Sequence, residues 1–400
     1  MSSALDGLVV IDLATEFWSS LGVAMLGDFG ADVIRVETRR TPLAPAPDPE
    51  ERAAWSYREE LANRNKRSVA LDLGQREGGE ILRELVGRAD VLVCDWPTNE
   101  AHAAGLDYDS LARTNPGLIY LRASGFGPNG PDRELPALDE LAAARTGMMP
   151  ILPQPGEPPV YTGSGQIYTT VMLAFGVLAA LEHRERSCEG QLVDVSLFAG
   201  NMYGAALDLQ AYLAMGGERL LQPVARRDSG NPMSGSGMLY ATRDGRWLTL
   251  TMPDTDRWWP GLAAAVGIDP ADPRFDSHEK RCEQNRLELI DRLEQAFLRH
   301  DGEHWRRVFA ERQLSADVIE DYEFPAGDAQ AELNRYVLSL DHPSLGRVQT
   351  LGFPIFMSET PAVLERLAPC AGQHGAQILR ERLGYTEERI HALAERGILG

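Results

Sequence analysis

The sequence predicts an α/β protein, a doubly wound parallel sheet followed by a smaller α+β unit, and three features carry that expectation. In the first half, short runs rich in β-branched residues alternate with segments of helical period, as strands and crossover helices do. After about Leu220 a polar, glycine-rich stretch, Arg226 to Gly237, breaks that rhythm. Beyond it, MLYATRDGRWLTLTM gives two strand-like runs joined through Asp244-Gly245, a short-hairpin signal.

Taken in order, LVVIDL, DVIRVE, DVLVCD and LIYLRASG read as buried parallel strands, with SLGVAMLGDFGA and GGEILRELVGRA as helices between them. The turn after the first strand, DLATEFWSSLG, lacks the G-x-G-x-x-G spacing that brings a dinucleotide pyrophosphate onto a helix N-terminus, so no NAD cofactor is expected. Pro42 to Pro49 is a proline-rich loop. RWWPGLAAAVG, NRLELIDRLEQAFLRH and GEHWRRVFAER read as helices, VQTLGFPIFMS as extended chain, and GAQILRERLG and TEERIHALAERG as closing helices. The apolar, Met- and Tyr-bearing segment from Met202 to Met215 would suit a bulky acyl chain, but its helical spacing favours core.

Composition narrows the partners. With 39 Lys plus Arg against 59 Asp plus Glu, the net charge of −20 repels a phosphate backbone, and no nucleic acid is expected. Cys94, Cys188, Cys282 and Cys370 lie far apart with no CxxC, which argues against disulfides and a metal site and fits a reducing cytoplasm. His300 and His304 straddle Asp301-Gly302 and are expected on the surface, not as a metal pair. The N-terminus has no signal-peptide pattern, and the apolar stretch Val171 to Leu181 is short for a bilayer, so no membrane partner is expected.

Several stretches then come together. LDGLVVIDLA, GADVIRVE, NRNKRSVALDL, ADVLV, LIYLRASGFGPNGP, GVLAALEHRERSCEGQLVDVSL and HPSLGRVQTLGFP resemble, in this order and spacing, the family III CoA-transferases of the CaiB/BaiF type, which include formyl-CoA transferase, carnitine CoA-transferase and α-methylacyl-CoA racemase. The resemblance covers nearly the whole chain. It implies a Rossmann-like large domain built from residues 1–222 and 326–400, a small α+β domain over 223–325, and two subunits threaded as interlocked rings, either a homodimer or a heteromer. The implied substrate is coenzyme A as an acyl-CoA thioester, with a small carboxylic acid as the other ligand.

In that family an Asp after a glycine, just before the long helix, attacks the thioester and forms a mixed anhydride. Counting back without a gap from Gly176 and Ala179-Ala180-Leu181, the matching position here is Gln166. A carboxamide carries no charge and cannot form the anhydride or act as a base, though it still donates and accepts hydrogen bonds. The resemblance further implies that Arg39 contacts a CoA phosphate and that Asn65, Lys66 and Arg67, with Leu71, Asp72 and Leu73, form a loop lining the adenine end. Gly235 and Gly237, within Ser234 to Gly237, would belong to a glycine loop that closes over the thioester, or to a hinge.

This chain departs from the family's pattern at other places. Asp95-Trp96-Pro97-Thr98-Asn99 stands where members carry Asn-Phe-Arg-Pro-Gly, Ala103 replaces a basic residue, and Glu16-Phe17-Trp18-Ser19 fills a turn usually made of small residues. Losing a cation and gaining Asp95 weaken the attraction for phosphates. Glu16 and Asp139 are the candidate relocated acids; the alternatives are a solvated loop carboxylate for Glu16 and a helix cap for Asp139. Three functions stay open: an enzyme acting on an acyl-CoA through a relocated acid, a non-catalytic subunit paired with an Asp-bearing paralogue, and a binding protein that has lost CoA.

Overall fold

The computed structural model of the chain describes residues 3–38, 57–216, 223–343 and 346–400. Met1–Met149, Tyr161–Gly216 and Asn334–Gly400 form one compact unit, and Pro150–Val160 with Gly217–Leu333 form a second.

The first unit is built on six parallel strands: β1 (Val9–Asp12), β2 (Asp32–Glu37), β3 (Lys66–Ala70), β4 (Val91–Cys94), β5 (Ile119–Ser124) and β6 (Gln191–Ser196). Their order is β3-β2-β1-β4-β5-β6. The order reverses between β1 and β4, and in such sheets the crevice at the strands' carboxyl ends there is where ligands bind. Helices α1 (Phe17–Asp28), α2 (Arg76–Val86), α3 (Asp139–Ala143), α4 (Ser164–Ser187), α5 (Leu197–Gly204) and α6 (Ala206–Met215) follow the strands or flank them.

Strand alternation explains the two cores. Ile11, Ile34, Leu92 and Tyr120 point to one face, where Ile81, Leu82 and Leu85 of α2 cover them together with Ile378, Leu379 and Leu393 from the C-terminal end. Val10, Val33, Val91, Val93, Ile119 and Leu121 point to the other, against Val23 and Leu26 of α1 and Leu173, Ala174 and Val177 of α4. Each fully buried side chain of this size contributes about 1.5–3 kcal/mol. Close approach of α1 to α4 requires Gly22, where a Cβ would sit 2.9 Å from Leu173 Cδ2. The chain end closes the sheet's far side, Leu71 bridging to Leu399, and a hairpin of β10 (Val337–His342) and β11 (Gly346–Leu351) precedes it.

The second unit carries β7 (Ser234–Ala241), β8 (Trp247–Thr251) and β9 (Ala316–Ile319) in one antiparallel sheet, with helices α7 (Thr255–Val266), α8 (Arg286–Phe297) and α9 (Gly302–Glu311). Tyr240, Leu248, Phe297, Trp305 and Phe309 form its core. The hairpin through Asp244-Gly245 forms, Ala241 pairing with Trp247.

Four expectations change. Residues 66–70 are not a loop but an edge strand of the large sheet, paired with β2 from Val33↔Lys66 to Glu37↔Ala70. GQLVDVS, noticed only as a motif, supplies the sixth strand, β6, paired with β5. Ser234 to Gly237 are not a free loop either: Ser234 pairs with Thr251 and Leu239 with Thr249, so Gly235 and Gly237 lie in a bulged strand. Within 202–215 only Ala205 is buried, so the segment is not core as a whole. No residue of α6 is buried, and Leu207 and Leu213 are 89% and 68% exposed. Helix α4 is long and apolar enough by composition to cross a bilayer, but Leu173, Ala174, Val177 and Ala180 are buried against the sheet.

Candidate active site

The carboxyl end of β1 is held by a buried charge pair. The three N–H bonds of Lys66 Nζ are shared among Asp12 Oδ2 at 2.7 Å, the Ser20 carbonyl and Oγ at 2.9 Å each, and Asn63 Oδ1 at 3.1 Å. Burial pushes the Lys66 ammonium down to about 8, against the pull of Asp12. Asp12 Oδ1 in turn accepts from the Ala14 N–H at 2.9 Å and so shapes the turn into α1.

From β4, Asp95 takes hold of the same turn. Its carboxylate accepts from the Thr15 N–H (2.8 Å), Thr15 Oγ1 (3.0 Å), the Glu16 N–H (2.8 Å) and Ser19 Oγ (2.7 Å). Burial raises its pKa while these bonds lower it. The sequence reading gave Asp95 the effect of repelling phosphates; the structure instead commits it to holding the start of α1 across some 80 positions of chain. Trp96 completes the strut, its indole N–H donating to the Leu13 carbonyl at 3.1 Å. Trp18 sinks into the core.

Glu16 is left different. Its N–H is fixed by Asp95 and its carbonyl accepts from Ser19 Oγ and the Ser20 N–H, both at 3.0 Å. Among the described residues its side chain has no hydrogen-bond partner, and burial first, then the Asp95 charge, raises its pKa.

At the start of α4, Gln166 lies in the first turn, half-buried. The turn is wedged in place by α5: a Cβ on Gly165 would stand 2.0 Å from Asn201 Oδ1, so any other residue there must displace the Asn201 amide. Asn201 Nδ2 donates to Asp139 Oδ1 at 2.7 Å and to the Leu197 carbonyl at 2.9 Å, and Asp139 Oδ2 accepts from the Tyr161 hydroxyl at 2.7 Å. Burial and the bond to Asp139 raise the Tyr161 pKa well above the tyrosine range. Asp139 is therefore not a helix cap. It stands one residue inside α3, makes no capping bond, and clamps Tyr161 to Asn201. The first turns of α1 and α4 are tied by Thr170, whose single Oγ1–H is shared between the Trp18 carbonyl at 2.8 Å and the Gln166 carbonyl at 2.9 Å. Beyond the ends of β4 and β5, Trp96, Thr98, Arg122, Ser124 and Arg133 line a cavity of 220 Å³.

The residues assigned to a nucleotide go elsewhere. Arg39 lies outside the described residues. Asn65, at φ +60°, bonds Asp28, the Val363 carbonyl and the Glu365 and Arg366 N–H groups. Lys66 has no solvent-exposed surface, and Arg67 forms a bidentate pair with Asp32 at 2.6 and 2.8 Å plus a bond to Glu381. Lys66 is thus spent inside the fold, and Arg67 is committed first to Asp32 and Glu381. Leu71 is core, Leu73 packs against it, and Asp72 accepts from the Gly74 N–H. Among the described residues no three His, Cys, Asp or Glu side chains cluster as metal ligands. His300 and His304 do meet, ring centroids 3.8 Å apart and stacked, because the helix start at Gly302 turns them onto one side.

Sequence reasoning missed Tyr161, Asn201 and Asp12. The only available signal was a charge ending a buried strand, Asp12 in VVID, which calls for a partner.

The model of CoA-transferase family III matches residues 5–375. The chain belongs to CoA-transferase family III. This family III chain is 28% identical to the cinnamoyl-CoA:phenyllactate CoA-transferase of Clostridium sporogenes, over 98% of this chain and 96% of that protein. It is 30% identical to the succinyl-CoA–L-malate CoA-transferase beta subunit of Chloroflexus aurantiacus, over 99% and 98%. The crystal structure of a CaiB/BaiF family protein from Brucella suis superposes with a TM-score of 0.80 at 28% identity, covering 96% of this chain and all of that one.

Proposed function

We propose that this family III chain binds an acyl-CoA thioester at the carboxyl ends of β1 and β4 and does not pass through an enzyme-bound anhydride. The observation that carries the reading is Gln166. A carboxamide occupies the first turn of α4, wedged by Gly165 and Asn201, where the family's nucleophilic carboxylate is expected. The anhydride route requires a carboxylate oxygen to attack the thioester carbon while the C–S bond breaks and CoA thiolate leaves; an amide oxygen is too weak a nucleophile for that. Gln166 can instead donate a hydrogen bond to the thioester carbonyl.

A second reading is supported by one observation. Phe175 of α4 and Leu207 of α6 are 71% and 89% exposed in the single chain, and an apolar surface of this kind is ordinarily covered by another subunit. That subunit is a second copy, or a paralogue carrying the missing Asp, in which case this chain is the non-catalytic member. The relative named as a beta subunit supports a heteromer. A cytoplasmic location suits the four free cysteines, two of them exposed.

Calorimetric titration with CoA and acetyl-CoA, alongside mass spectrometry for a hydroxylamine-sensitive acyl adduct, tests the reading on wild type and Gln166→Asp. Both proteins should bind, and only the variant should acquire the acyl mass. Absence of binding in both would sink the reading, and an adduct on the wild type would restore an anhydride route.

A further inference from the structure

The acids around the sheet's carboxyl edge are unequal. Asp95 accepts four hydrogen bonds, and Asp139 accepts one on each oxygen, from Tyr161 and Asn201, so both are already engaged by protein donors. Asp12 is locked to Lys66. Glu16 alone among these carboxyls has no side-chain partner among the described residues, although it is half-buried. A half-buried carboxyl without a partner costs stability, and that cost is typical of a group kept for chemistry; among the described residues Glu16 has none.

Its backbone is correspondingly over-determined. Asp95 holds its N–H from β4, and Ser19 and Ser20 hold its carbonyl from within α1. The side chain therefore starts from a rigid base at the β1/β4 break in strand order, and α1 is tied through Thr170 to the turn that carries Gln166.

We propose that Glu16 is the proton-transfer group of this site, a catalytic residue that takes over acid–base work the neutral Gln166 cannot do. The inference rests on the proposed binding of an acyl-CoA thioester. In the step, the Glu16 carboxylate removes a proton from the carbon next to the thioester carbonyl. The C–H bond breaks, an O–H bond forms on Glu16, and the electron pair moves into the thioester as an enolate whose oxygen accepts a hydrogen bond from Gln166 Nε2. Return of a proton from Glu16 to the same carbon reverses the step, so no other reactant is consumed. Burial and the neighbouring Asp95 both raise the Glu16 pKa, which moves a carboxyl toward the range in which it both takes and gives a proton near neutrality.

The test is solvent exchange. Acetyl-CoA is incubated with the protein in D2O, deuterium in the acetyl methyl group is followed by NMR, and acetyl-CoA affinity is measured in parallel by calorimetry. Wild type should exchange on the order of a hundredfold faster than free acetyl-CoA. Glu16→Gln should abolish that acceleration and keep the affinity, because the backbone bonds that pin the turn do not involve the side chain; Glu16→Asp, with a shorter reach, should retain part of it. Wild type that binds acetyl-CoA without accelerating exchange overturns this inference alone, as do variants that exchange at the wild-type rate. Wild type that fails to bind acetyl-CoA overturns the proposed ligand and this inference with it.

Discussion

Replacing Lys66 by Met separates a structural lysine from a phosphate-binding one. Methionine keeps the length of the apolar stem but removes the ammonium, so the Asp12 carboxylate, wholly buried, loses its 2.7 Å partner and keeps only the Ala14 N–H. The Ser20 carbonyl and Asn63 Oδ1 lose a donor in the same step. Removing one member of a buried ion pair typically costs 3–5 kcal/mol because the other charge is stranded. Against a total of about 5–15 kcal/mol for a folded domain, that leaves the first unit marginal. Urea denaturation followed by circular dichroism should show a midpoint loss of that size. Adding Asp12→Asn should return at least about 1 kcal/mol, since the stranded charge is gone. The pH dependence has a definite sign. Burial holds the Lys66 pKa at about 8 in the fold, below that of an unfolded lysine near ~10.4, so the unfolded chain binds more protons between those values. Wild-type stability should therefore gain from this group as pH rises from about 8 to ~10.4, and Lys66→Met should lack that gain. A loss under about 1 kcal/mol, or unchanged stability with loss of CoA affinity, would refute the structural assignment.

Asp95→Ala leaves the Thr15 and Glu16 N–H groups without their acceptor and should cost about 2–3 kcal/mol in thermal or urea unfolding. Gly165→Ala drives a methyl group to 2.0 Å from Asn201 Oδ1, and the displaced amide must release Asp139; about 1–3 kcal/mol of stability should go, with a smaller loss when Asn201 is also replaced by Ala. Phe175→Glu combined with Leu207→Glu places charges on the exposed apolar faces and should shift the protein toward single chains in analytical ultracentrifugation, whereas an unchanged sedimentation profile would show that these faces are not an interface.

The strands that could be read were those whose signal is local. In β1 and β4 every residue is buried, and runs of Val, Ile and Leu flanked by helical segments announce this directly. KRSVA gave no such signal because two of its five residues are charged. What makes it a strand is remote: Asp12 of β1 receives Lys66, and Asp32 of β2 receives Arg67. β6 alternates between exposed and half-buried positions at the sheet's edge, which hides it from any search for buried runs. The glycines of 234–237 suggested a loop, yet β8 supplies partners that hold Ser234 and Leu239 in a ladder. Composition alone could not foresee those pairings, just as helical spacing in 202–215 could not reveal that the apolar residues face outward.

The site was legible to the same degree and for the same reason. The position of Gln166 followed from motif spacing along one segment, whereas the roles of the surrounding acids depended on which groups meet from distant segments. Asp95 and Asp139 look on paper like carboxylates added to a site that lost one. Folding gives both other partners, since Asp95 binds the start of α1 and Asp139 joins Tyr161 to Asn201. Beside them stand a neutral amide in the first turn of α4 and, just before α1, an acid with no side-chain partner among the described residues, the two helix starts being joined through Thr170. A site so arranged favours moving a proton over forming a covalent acyl intermediate. A carboxyl with a raised pKa is a better proton carrier and a poorer leaving group than an ordinary Asp, and an amide can stabilise an enolate without competing for the proton.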